Sequence, residues 1–104
     1  MTAGHPVDVS VSGVAADALG ARRIGALAFA AQEAEPPISV LVTDDDIVAA
    51  RSTLWREYRM PSEFGAATAY AALLSGRYVP SDGERVAVVV CGANTDPATL
   101  ATRT

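Results

Sequence analysis

The chain has 104 residues, enough for one small domain; half are hydrophobic, and all eight basic residues are arginines, lysine being absent. A formal charge of −4 without a basic stripe argues against a nucleic-acid partner, and no segment is apolar over the length of a membrane span. A single cysteine excludes an internal disulfide and a cysteine-rich metal site, and the start of the chain lacks the basic and apolar runs of a signal peptide, so a cytoplasmic protein without a metal is expected.

A chain of this size buries a smaller fraction of its surface than a larger one, so such an apolar composition points to part of a bigger body or to a protomer with a partner. Residues 1–12 read as an extended lead-in, with alternation in VDVSV over 7–11. His5 stands alone in it, and no ligand role is assigned to it. Residues 13–104 read as one incomplete α/β domain. VAADALG, between Gly13 and Gly20, is a small-residue stretch that packs closely or turns. Ile24, Leu27, Ala28 and Ala31 fall at helical spacing and predict a helix over 25–33, stopped by Pro36-Pro37.

ISVLV, over 38–42, predicts a strand covered on both faces, as in a parallel sheet. TDDD follows. Thr43 and Asp46 stand at capping-box spacing, and the aspartates suit a helix N-terminus as Arg56 and Arg59 suit its far end. Capping explains the acidic triplet more simply than a metal does. Ile47, Arg51, Leu54 and Tyr58 share one side, widened by Val48 and Trp55.

Ser62 is the expected cap of a helix over 63–75, with Phe64, Ala67, Ala71 and Leu74 on one face, alanine on much of the other, and Gly76 as its stop. PSDG, over 80–83, is turn chemistry, and residues 85–91 predict a second strand. Asp96-Pro97 opens a last short helix. The order helix, strand, helix, helix, strand, short helix predicts an α/β fold with parallel pairing.

In open α/β sheets ligands bind beyond the carboxyl ends of strands, which is where VVVCGANTD places Cys91. The residues themselves leave two readings open: a strand end that holds a ligand, or a buried small hydrophobe followed by a turn. Nucleophilic chemistry is disfavoured, because the only histidine is at position 5, and the loop lacks the glycines and Lys-Ser/Thr of a phosphate loop.

Four stretches, in order, resemble the C-terminal third of the serine/threonine dehydratases, fold-type II enzymes of the tryptophan synthase β-like, pyridoxal-phosphate-dependent family. VAADALGARRIG over 14–25 is similar to the family's ADG…G segment, and ISVLVTDDDIVAA over 38–50 to its strand-to-helix step. EFGAATAYAALLSG over 63–76 resembles the EPSGAAALAALLSG helix, and VAVVVCGANTD over 86–96 the strand and SGGN loop. The resemblance implies the C-terminal portion of a three-layer doubly wound sheet. It also implies β-elimination from serine or threonine to a 2-oxo acid and ammonia, with pyridoxal 5′-phosphate as cofactor.

By the same resemblance Cys91 meets the cofactor's pyridine nitrogen, and Glu63 lies near its ring. Gly92 lets the backbone approach closely, and Asn94 organises the loop. Three departures stand out: Phe64 where the family has proline, and Ala18 and Ala93 where it has glycine. An alanine at 93 would be strained if that position required a positive φ.

The family's cofactor-bearing lysine and its phosphate loop belong to the N-terminal part and have no counterpart here. The resemblance therefore implies a chain that is inactive alone and binds no cofactor stably. Its expected partners are the missing N-terminal part or a complementary chain, and a homo-oligomer is expected, with no nucleic acid and no membrane. The competing expectation is a non-catalytic α/β interaction or oligomerisation module.

Overall fold

A computed structural model describes residues 23–100 continuously, together with residues 5, 6, 8, 10, 12–16 and 21. Residues 7, 9 and 11 of the extended segment expected over 7–11, and the 17–20 half of the small-residue stretch, lie outside the described residues. Among those described, the regular elements are three α-helices and one 3-10 turn: α1 (Ala26–Ala34), α2 (Asp44–Tyr58), α3 (Phe64–Leu74) and the turn Pro97–Thr99.

The helix starts follow from local chemistry. In α2, Asp46 donates its amide to Thr43 Oγ1 at 3.1 Å, and Thr43 returns its amide to Asp46 Oδ2 at 3.0 Å, the reciprocal capping box read from the sequence. The Thr43 amide is the main reason that the Asp46 carboxyl lies below the ordinary aspartate range; the nearby Arg77, 3.3 Å away, adds to it and partial burial opposes it. Asp44 does something else. Its Oδ1 accepts the Val14 amide at 3.4 Å and so ties the turn over residues 13–16 to the start of α2. Gly13, at φ 101°, leaves room for that carboxylate, since a Cβ there would sit 2.9 Å from Asp44 Oδ1.

At the far end of α2 the chain turns through Arg59, the one non-glycine described residue in the left-handed region, at φ 53°. Its amide bonds Trp55 O and the Met60 amide bonds Leu54 O, so two terminal carbonyls find donors. The Arg59 guanidinium lies 5.4 Å from the Trp55 ring. The short connection over 59–63 then reverses the chain into α3, which ends at Gly76, φ 79°.

The core is the seam between these two helices. Ile47, Ala50 and Leu54 of α2 close on Ala67 and Ala71 of α3, with Val14, Ala15, Val42, Phe64, Tyr70 and Val90 packed around them. Alanines on α3 let the helices approach closely. In contrast, α1 buries none of its residues, and Leu27 is 88% exposed.

Two expectations are corrected. No strand forms among the described residues, so the doubly wound sheet is not seen: residues 38–42 and 85–91 run without a ladder. The reason is geometric. A strand satisfies its N–H and C=O groups only through neighbours, and the parallel kind needs crossover connections and usually cover on both faces. Here each segment lays one valine, Val42 or Val90, on the helical seam, while Ile38 and Leu41 are 84% exposed. The second correction concerns Ser62. The residue at the N-cap of α3 is Glu63, without a side-chain capping bond, and the buried Ser62 hydroxyl has no hydrogen-bond partner among the described residues.

Candidate functional site at the start of α3

Three of the four residues singled out from the sequence meet at one point. Glu63 donates its amide to the Gly92 carbonyl at 2.9 Å, and its Oε1 accepts the Asn94 amide at 3.3 Å. The loop after residue 91 is thereby pinned at both backbone polarities to the first turn of α3. A Cβ on Gly92 would lie 2.6 Å from Glu63 Oε1 and 3.1 Å from its Cδ, so a side chain there would make the Glu63 carboxylate shift from its present place. Asn94 takes part through its backbone amide. Cys91, the fourth residue, precedes this contact as a free, exposed thiol.

Ala93 has no positive φ, so the alanine that stands in place of the family's glycine sits without left-handed strain. Beyond it, Thr95 donates its amide to the Ala93 carbonyl at 2.8 Å, and Asp96 Oδ1 caps the Pro97–Thr99 turn through the Ala98 amide at 3.0 Å. The loop is therefore held locally as well as by Glu63.

A residue that the sequence reading placed merely on the apolar side of α2 organises the other side of this loop. Arg51 is only 5% exposed. Its Nε donates to the Ser62 carbonyl at 2.8 Å, and Nη2 donates to Thr95 Oγ1 and Thr99 Oγ1, each at 2.6 Å. Nη1 reaches the Thr99 carbonyl at 3.4 Å, and the guanidinium lies 4.7 Å from the Phe64 ring centroid. The signal available in the sequence was an arginine in line with Ile47 and Leu54, a place where a charge persists only if its donors are satisfied.

A separate depression of about 220 Å³ runs along α2, lined by Asp45, Val48, Ala49, Ser52, Thr53 and Arg56. None of the four site residues borders it. The described residues at the start of α3 thus offer an exposed thiol, a glycine with no side chain, a carboxylate and a fixed loop. None of these groups is an amine that could hold a carbonyl ligand covalently.

No family model matches the chain. Over 62 residues, 60% of its length, it is 44% identical to the phenylserine dehydratase of Ralstonia pickettii. The chain is thus related to a dehydratase, and the matched stretch spans 19% of that relative's length. Among the described residues no helix is long and apolar enough to cross a membrane.

Proposed function

We propose that the chain is the C-terminal portion of a pyridoxal-phosphate-dependent dehydratase acting on a β-hydroxy amino acid of the serine/threonine class. It supplies one wall of the active site. The observation that carries this reading is the meeting of Glu63 with Gly92 and Asn94 beside the exposed Cys91. These are the residues that the dehydratase resemblance assigns to the cofactor's surroundings, and the similarity to phenylserine dehydratase supports the same family.

Pyridoxal phosphate, when bound, supplies the electron sink for loss of the β-substituent. The protein residues tune and position. The Cys91 thiol offers the pyridine nitrogen a weak, neutral hydrogen-bonding partner, which unlike a carboxylate does not strongly favour the protonated ring. Gly92 keeps this approach free of side-chain bulk, and Glu63 holds the loop by its amide and its carboxylate. In the overall reaction the water lost on elimination is regained on hydrolysis, so the amino acid yields a 2-oxo acid and ammonia.

Because these 104 residues hold no lysine, the N-terminal part of the enzyme or a complementary polypeptide would bring the covalent anchor and the phosphate-binding loop. The backbone of residues 38–42 and 85–91, which runs without a ladder among the described residues, is where further strands would join. A second reading, a non-catalytic homo-oligomerisation module, draws on the exposed Leu27, Ile38 and Leu41.

One experiment separates the two. Phenylserine dehydratase lacking its matched stretch is purified with and without this chain, and 2-oxo acid release from serine, threonine and phenylserine is followed. The first reading expects activity in the mixture only, reduced on Cys91→Ala, with neither part active alone. A chain that self-associates into a defined oligomer and leaves the truncated dehydratase inactive would favour the second reading.

A further inference from the structure

Arg51 touches chain neighbours of both Glu63 and Asn94. Ser62 and Phe64 flank Glu63 on either side, and the guanidinium bonds the carbonyl of the first and lies over the ring of the second. Thr95 follows Asn94, and its hydroxyl accepts from Nη2. Thr99, in the 3-10 turn, accepts from the same nitrogen and closes the loop's far end. One side chain on α2 therefore spans both halves of the candidate site.

The kind of partner matters as much as their number. Among the described residues no carboxylate lies within ion-pair distance of Arg51; its acceptors are two carbonyls and two hydroxyls. An arginine stays protonated in proteins, so this is a buried cation held by neutral dipoles. A buried charge is a poor source of stability compared with an apolar residue of the same size, and its attested use is to specify one geometry over others. The planar fork suits that use, because it fixes the directions of several acceptors at once where an ammonium would not.

We propose that Arg51 is a positioning residue of this site. It sets the separation between the start of α3 and the 91–99 loop, so that the Glu63 amide meets the Gly92 carbonyl and the Glu63 carboxylate meets the Asn94 amide. The assignment deepens the function proposed above and rests on that reading only for the use made of the geometry. The clamp itself belongs to this chain alone.

The test needs no cofactor and no complementary polypeptide. Amide hydrogen exchange is measured residue by residue on the native chain, on Arg51→Lys and on Thr95→Val/Thr99→Val. The double variant removes two acceptors while keeping side-chain shape, which guards against simple failure to fold. Exchange at Glu63, whose amide bonds Gly92, rises on the order of tenfold in both variants, while Leu54 and Ala71 in the helical seam keep their protection. Alkylation of Cys91 by iodoacetamide changes in rate with it, a chemical readout at the site itself. Lysine does not rescue, because it keeps the charge and loses the fork. Unchanged exchange at Glu63 in a folded double variant overturns the proposal. A uniform rise at Glu63, Leu54 and Ala71 together also overturns it, since that describes a residue that holds the fold and not the site. Failure of the native chain to complement the truncated dehydratase, with the exchange differences intact, would sink the proposed function and leave the clamp standing.

Discussion

The seam between α2 and α3 and the segments over 38–42 and 85–91 are all apolar, yet one is closed and the other open. The helices satisfy their backbone within themselves and need each other only to bury a stripe. Ile47, Ala50, Leu54, Ala67 and Ala71 do that across a connection of a few residues. The β-branched segments depend on hydrogen bonds that no described residue supplies, so Ile38, Leu41, Val86 and Val89 remain exposed. Apolar sequence therefore fixes what a segment tends to bury, and the partner decides whether it does.

The strongest challenge to this contrast is Leu54→Ala. Leu54 is buried in the seam, and its truncation is expected to cost roughly 2–4 kcal/mol, read as a lower urea midpoint of the helical signal. If the midpoint stays put, the seam is not the stabilising core. Next comes Thr43→Ala, which removes half of the capping box and should cost about 1 kcal/mol in the same assay.

The pH dependence of that cap follows from the lowered Asp46 carboxyl. A depressed folded value means that the stabilisation is complete above the unfolded value of 3.8 and is lost as pH falls through the lower folded value. Thermal unfolding of Asp46→Asn should therefore lose the part of the acid dependence that the native chain shows below that pH. The smallest effect on the fold is expected from Val89→Lys. Val89 is 71% exposed, so helix stability should move by no more than about 0.5 kcal/mol, while self-association measured by sedimentation decreases. A large loss of helical stability would show that 85–91 is part of the core after all.

The parts legible in the sequence were those whose physics is local. The Thr43–Asp46 box, the stop at Gly76 and the proline-led turn at Pro97 each depend on residues within a few positions of one another. Ser62 misled because serine beside a helix start is a common cap, whereas burial and the pull of Arg51 on its carbonyl leave Glu63 in that place. The strands were over-read because β-branched runs report a preference for a pleated surface without saying who provides it. At the site, the grouping of Glu63, Gly92 and Asn94 came from the resemblance; the use of the Asn94 backbone and the close fit at Gly92 needed coordinates. Arg51 escaped because its partners are 11 to 48 positions away in the chain.

The short link between α2 and α3 bears on the order of assembly. Contacts between helices so near in sequence carry little loop-closure entropy, and topologies of low contact order form fastest. In a longer polypeptide this helical hairpin would collapse first, with Val42 and Val90 already resting on it. The flanking β-branched runs would then be presented along a prefolded nucleus, and later strands would add by zipping onto them. Folding of such a polypeptide would thus be templated from this helical hairpin, with the slow step the arrival of the distant strands.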